Sequence, residues 1–395
     1  MKIRPTIQFS GIQGVFWGSF ASLFAFSSVY LLAKGFTNSQ VGYVMAAGSG
    51  LSAVLQPMLG GFVDRSPKLI LHKTILVLSL VMMVLSGLLL GASNVFWAVA
   101  LIYGLLVTFL QMITPLTYAL GMFFMSRGVP INFGICRGIG SVTYAVVAAV
   151  LGVLVERMNE DMVVVSVIVL YVLFIVVITT FHFPGISEEK RATEVQSKEQ
   201  GGIAAFIREN RGFCMVLFGN IFVFISHNIL NNYLFQIVSY HGFGSKEMGF
   251  ASSLAAMCEL PTLFCLSFFL KKFSEVTLFR VAAIFIFLKN LVLCFATTLP
   301  VIYFAMSMQL LGYGLFAGIS VIYVNEMVDV TNRTRGQALM TMTVTIGTVF
   351  GSLLGGNFID RLGVPWTLWI SAGMALFGMV VVCGFAGKNR RNKEL

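Results

Sequence analysis

Apolar residues run along this chain in long stretches separated by short polar connections. A helix needs about 20 such residues to cross the hydrocarbon core of a bilayer. Twelve runs of that kind occur, at approximately 9–34, 39–62, 71–92, 95–125, 132–156, 161–183, 212–240, 246–270, 276–298, 300–327, 335–359 and 364–387. Several exceed the minimum and must tilt or extend into the interface. The pattern predicts an all-α polytopic membrane protein with twelve transmembrane helices.

Composition removes the alternative of a soluble chain: of 395 residues, 57% are hydrophobic and only 11% charged. The basic residues are unevenly shared. The termini and even-numbered connections hold 20 lysines and arginines, and the odd-numbered connections hold four, Lys34, Arg157, Lys246 and Arg361. That bias predicts a multi-pass protein of the cytoplasmic membrane with both termini cytoplasmic. The net charge of +10 is then topology and headgroup contact, and argues for a lipid partner rather than nucleic acid. The first run is long enough to remain as a helix, so no cleavable leader is expected.

Six cysteines and four histidines are scattered among the runs, so no disulfide framework, metal site or cofactor is expected. No H-x-x-x-x-D or H-E-x-x-H cluster suggests an enzyme, and neither terminus offers the output domain of a receptor.

The chain divides near its middle. Residues 184–211 form the one long polar segment, open with Pro-Gly and mix charges, as a cytoplasmic linker does. Residues 1–183 and 212–395 would each be a six-helix bundle. A weak repeat relates them: Gly152 to Arg157 (GVLVER) ends the fifth run and Gly356 to Arg361 (GNFIDR) ends the eleventh, 204 residues later. Two parallel repeats imply rocking about a central site.

Three charges fall deep inside runs, away from their ends. Arg137 stands among Gly134, Gly138, Gly140 and Ser141 on the fifth, Glu259 beside Pro261 on the eighth, and Lys289 on the ninth. A charge in hydrocarbon costs at least ~3 kcal/mol, so it faces a polar cavity or a partner, or, for Arg137, snorkels back to the headgroups. The trio sums to +1. Glu259 and Arg137 can hydrogen-bond a neutral sugar, or the positive excess can receive a substrate carboxylate. Glu259 is the plainly intramembrane acid and therefore the default proton carrier. The seventh run adds His227, Asn228, Asn231, Asn232 and Gln236, of which Asn228, Asn231 and, less closely, Gln236 share a face. Gln309 on the tenth run is similar, and such amides serve either as ligands or as helix glue. Phe16, Trp17 and Phe20 are aromatic cavity candidates on the first run.

The connection after the second run, Gly60-Gly61-Phe62-Val63-Asp64-Arg65-Ser66-Pro67-Lys68, resembles the G-x-x-x-D-R-x-x-[RK] signature of the major facilitator superfamily. That resemblance covers the whole chain and implies two pseudo-symmetric six-helix bundles, alternating access and secondary transport. Asp64, Arg65 and Lys68 would be gating elements. Glu326, Asp329, Arg333 and Arg335, followed by Gly336-Gln337-Ala338, resemble the tenth-to-eleventh loop of relatives and would form a second gate.

Within the superfamily the chain is similar to the lactose permease branch of oligosaccharide:proton symporters. Gln56-Pro57-Met58-Leu59-Gly60, Phe133-Gly134-Ile135-Cys136-Arg137, Cys258-Glu259-Leu260 and Gly355-Gly356-Asn357 resemble motifs of that branch. The resemblance implies that Arg137 and Glu259 grip a sugar and that Tyr144, two turns beyond Arg137, stacks on its ring. There are departures. No acid stands near Tyr118 and Ala119 to pair with Arg137. Asn228 and Asn231 replace the acids, and Met306 and Val344 the lysines, of two ion pairs. Gln309, Gly312 and Lys289 replace the histidine, glutamate and arginine of the proton relay.

The expected function is therefore secondary active transport of a small polar solute, a sugar or glycoside first, by proton symport with Glu259 as proton carrier. A nucleoside, a small organic anion or export of a drug or metabolite are the alternatives. Drug antiporters of the superfamily carry a glycine–proline motif in the fifth helix, and Gly138 to Gly152 holds no proline. The substrate-binding set expected is Arg137, Tyr144, Asn228, Asn231, Asn232, Glu259, Lys289 and Gln309, in a protein that works as a monomer.

Overall fold

A computed structural model describes residues 4–65, 71–92, 95–181 and 203–387. Among them every regular element is helical: α1 (Arg4–Phe20), α2 (Ser27–Ala33), α3 (Asn38–Arg65), α4 (Leu71–Gly91), α5 (Phe96–Ser126), α6 (Phe133–Arg157), α7 (Met162–Thr180), α8 (Ile203–Glu209), α9 (Arg211–Asn232), α10 (Leu234–Tyr240), α11 (Ser245–Lys272), α12 (Glu275–Cys294), α13 (Leu299–Ser307), α14 (Tyr313–Met327) and α15 (Arg333–Phe385). Ten helical stretches are long and apolar enough to span a bilayer, and α1 with α2, bent by 43°, makes an eleventh. The 53 residues of α15 turn at Gly363. At 1.5 Å per residue they measure ~80 Å, more than two crossings of hydrocarbon. The helices therefore accommodate all twelve apolar runs of the sequence. The protein is a multi-pass membrane protein.

The breaks have local causes. A single wide π turn, Ala21–Ala25, separates α1 from α2. A short 3-10 turn, Met308–Leu310, and Gly312 separate α13 from α14. At Gly363 the backbone takes φ 80° and ψ 171°, a conformation open essentially to glycine alone, and Pro365 follows. Helix starts are capped by side chains: Asn132 accepts from the Ile135 N–H at 3.1 Å ahead of α6, and Ser274 from Thr277 ahead of α12. Within the polar segment expected at 184–211, residues 184–202 lie outside the described residues and α8 occupies 203–209.

The chain falls into two compact units, the first 1–192 with 242–257, the second 193–241 with 258–395. In the first, α1 packs on α6 and α7, α3 on α5, and α4 on α5 and α7. Connections expected on one face meet there: Lys34 pairs with Glu160 at 2.9 Å and Asp161 at 2.8 Å, and the Glu156 carboxylate accepts from the Lys246 N–H. Gly152 and Gly249 let α6 and the start of α11 approach backbone to backbone. In the second, α9 packs on α15, and α12 on α14 and α15. A Cβ on Gly219 would stand 2.9 Å from the Gly378 carbonyl oxygen, and one on Gly378 2.6 Å from that of Gly219, so both must be glycine for α9 and α15 to cross so closely. Beside this crossing Asn290, wholly buried, accepts from Ser226 at 2.7 Å and Ser371 at 2.8 Å and ties α9, α12 and α15 together. Outward-facing side chains are apolar, among them Val77, Leu80 and Val84 on α4 and Trp97 and Leu101 on α5, as lipid requires.

Candidate functional site

The three intramembrane charges of the sequence, Lys289 buried and Arg137 and Glu259 half-buried, sit in two polar clusters, one in each unit. In the first unit Arg137 rises from α6 with its guanidinium 4.1 Å from the centroid of the Trp17 ring. It donates to Ser141 Oγ at 2.8 Å, one turn further on. The glycine spacing of α6 makes the stack possible, since a Cβ on Gly140 would come within 2.7 Å of Trp17 Cδ1. The Tyr118 phenol on α5 stands beside both Arg137 and Trp17, where the resemblance would have placed an acid. A cation over an aromatic face gains ~0.5–2 kcal/mol without neutralisation, so Arg137 is held in place while its charge persists. Tyr144 lies on the same helix, half-buried. Gln13, one turn before Trp17, was not anticipated. It is fully buried, and among the described residues neither atom of its amide has a partner. A lone glutamine in an apolar run, four residues from a tryptophan, was the available signal.

In the second unit a chain of hydrogen bonds joins α9, α11 and α12 to the 3-10 turn between α13 and α14. Lys289, 1% exposed on α12, donates to Gln309 Oε1 at 2.9 Å and to Asn231 Oδ1 at 3.4 Å. Gln309 Nε2 donates to Glu259 Oε1 at 3.1 Å. Asn231 Nδ2 lies 2.7 Å from His227 Nε2. Because the Asn231 oxygen faces Lys289, its NH2 faces the histidine, and His227 Nε2 must be the acceptor, with the ring proton on Nδ1. The His227 ring is stacked on Tyr313 at 5.0 Å and 13°. Gln309 owes its position to the break between α13 and α14. Thr262, one turn past Glu259, donates to the Leu310 carbonyl at 2.6 Å and satisfies part of that break.

The other expected amides have different partners. Asn228 Nδ2 donates to the Phe224 carbonyl, and its oxygen accepts from Thr348 of α15. Asn232 donates to Ser352 at 2.8 Å. Both therefore join α9 to α15, whereas Asn231, three residues from Asn228, turns to Lys289.

At the α14–α15 connection Arg333 Nε donates to the Asn325 carbonyl at 3.0 Å, and Gln337 donates to Val321 O and Asn325 Oδ1. Arg335 reaches Asn332 Oδ1 and lies 5.8 Å from the Phe206 ring centroid. Glu326 and Asp329 are exposed. Lys68 and the side chains of Asp64 and Arg65 lie outside the described residues.

The chain belongs to the MFS_1 like family, whose profile matches residues 7–370, and with its all-helical, multi-pass described residues it is a transporter of the major facilitator type. No functionally curated protein matches it. Among solved structures it is similar to the nucleoside transporter NupG, at 16% identity over 97% of this chain and 98% of that one, with a TM-score of 0.77, and to a mutant form of the same transporter with a TM-score of 0.80. A bacterial homologue of the iron transporter ferroportin, in an inward-facing state, is 12% identical over 98% and 100% of the two chains, with a TM-score of 0.72. Likeness at these identities is likeness of fold.

Proposed function

We propose that this protein takes up a small neutral solute carrying a sugar ring across the cytoplasmic membrane by alternating access, coupled to protons, with both termini on the cytoplasmic side. The observation that carries the reading is the Arg137–Trp17–Ser141 group: a guanidinium seated on an indole, with Tyr118 beside it. Such a group offers N–H donors for solute hydroxyls next to aromatic surface for the apolar face of a pyranose or furanose. Glu259, oriented by Gln309, supplies acceptor oxygens for hydroxyl hydrogens. Lipid and solute are the partners this requires, and the monomer suffices.

Glycosides come first because the carboxylate and guanidinium are the motif residues that the lactose permease resemblance assigns to sugar. Nucleosides come second, favoured by the likeness in fold to NupG and by aromatic surface that suits a base as well as a sugar. A substrate carboxylate, answering the positive excess, is the third. Uptake of labelled methyl galactoside, uridine and benzoate into proteoliposomes, with and without an inward proton gradient, tests the order. Gradient-driven galactoside accumulation with external alkalinisation is expected. Uptake of benzoate alone would overturn the neutral-solute reading, and efflux alone would overturn uptake.

A further inference from the structure

Lys289 is a buried ammonium whose ligands are amides. Its Nζ is held by Gln309 Oε1 at 2.9 Å and Asn231 Oδ1 at 3.4 Å, and Glu259 on α11, which acts on it electrostatically through space, is joined to it by hydrogen bonds through the Gln309 amide. A carboxylate in direct contact would fix the lysine in its charged form, because removing the proton would strand the acid's charge. An amide imposes no such preference. Its oxygen serves an ammonium, and its NH2, after a turn about the last side-chain bond, serves the lone pair of an amine. The surroundings of Lys289 thus fit both protonation states.

The remaining groups facing it are compatible with a change of charge. On α9, His227 accepts from Asn231 through Nε2 and is neutral in this arrangement. On α14, Tyr313 is stacked on that histidine. Asn290, next to Lys289 on α12, is committed to Ser226 and Ser371. The consequence of a proton leaving Lys289 therefore passes to Gln309, which also orients Glu259.

We propose that Lys289, rather than Glu259, is the proton site of this carrier, and that Gln309 transmits its state to Glu259. The inference rests on the reading of Glu259 as a solute ligand. With Lys289 protonated, Gln309 presents its oxygen to the ammonium and its NH2 to the carboxylate, which is thereby aimed at solute hydroxyls. When the N–H bond of Lys289 breaks, the electron pair stays on Nζ and the proton passes to water. Gln309 then turns its NH2 to the amine and its oxygen to the carboxylate, and Glu259 loses the hydrogen bond that Gln309 gave it. Proton and solute consequently bind together and leave together.

Two experiments on the full-length protein test this. The first needs no solute: thermal stability of wild type and Lys289→Met is compared between about pH 6 and 10, and the difference between them should change with pH, as linkage requires of a titrating group. A constant difference overturns the proposal. The second uses counterflow and gradient-driven accumulation of labelled methyl galactoside or uridine in proteoliposomes. Wild-type counterflow should fall as pH rises. In Lys289→Arg, which stays charged, the counterflow that remains, whatever its rate, should show a flat pH profile, and the accumulation ratio should be roughly one. A wild-type pH profile or uphill accumulation in Lys289→Arg overturns the proposal. Should Lys289→Met fail to fold, Lys289→Arg takes its place in the first experiment, and its stability difference must likewise vary with pH. If neither solute exchanges at all, the solute reading fails, while the stability comparison still judges Lys289.

Discussion

The guanidinium of Arg137 lies 4.1 Å from the ring centroid of Trp17, on a helix that keeps a glycine at 140 so that the indole fits against it. A planar cation on an aromatic face is a preorganised donor array that lysine cannot reproduce. Arg137→Lys should weaken solute binding by roughly 10-fold or more while leaving the thermal melting point nearly unchanged. Equilibrium binding and a melting curve on the same preparation check both halves.

Lys34, Glu160 and Asp161 form a charge cluster outside the spans. Burial alone would pull the Lys34 ammonium down, but the hydrogen bonds it donates to Asp161 and Glu160 outweigh it and hold the group above its ordinary 10.5. The hydrogen bond from Lys34 holds Glu160 below its ordinary 4.5. The cluster's stabilisation is therefore fully present between those two ordinary values. It is lost as pH falls through the lowered carboxylate value or rises through the raised ammonium value. The melting-point deficit of Lys34→Met relative to wild type should be greatest near neutral pH and shrink toward both extremes.

At the crossing of α9 and α15 each of Gly219 and Gly378 faces the other's carbonyl oxygen. Gly378→Leu should cost at least ~1–3 kcal/mol through overpacking, read as a lowered melting point and poor membrane yield. Gly50, with nothing within 4 Å of a Cβ placed on it, is the control. Gly50→Ala should leave stability unchanged or raise it by up to ~1 kcal/mol.

Asn290 joins three helices through two serine hydroxyls. Those serines also lie 3.0 Å from each other, so they keep a partner when the amide is removed. Asn290→Leu should therefore cost only ~1–2 kcal/mol. The amide's NH2 donates to the Ile286 carbonyl of its own helix; thermal unfolding in detergent measures the cost, and a loss well above this range would overturn the expectation.

Much of the fold was legible because hydrocarbon enforces one rule, that every backbone group be satisfied within its own segment; apolar length alone then locates spans. The breaks inside spans were less legible. Nothing in Met308, Gln309 and Leu310 announces a 3-10 turn, and nothing in Ala21 to Ala25 announces a π turn, since neither stretch holds a proline or glycine. Site residues divided along the same line. Charges such as Arg137, Glu259 and Lys289 stand out against hydrocarbon at any position, so the sequence marks them. Which amides serve them depends on helix rotation: Asn228 and Asn231 share a face by spacing, yet one joins α15 and the other meets Lys289. Gln13 and Tyr118 gave weaker signals still, because an uncharged polar residue in a span is ordinary glue far more often than part of a binding group.

The corner at Gly363 has a consequence for how the chain is made. Where α15 turns back there is no connecting stretch to absorb a misplacement, only one residue in a conformation that a side chain forbids. The last two crossings are thereby joined as a hairpin with a single-residue corner. A bulky residue at 363 would be felt by the insertion machinery and by quality-control proteases before any solute met the carrier.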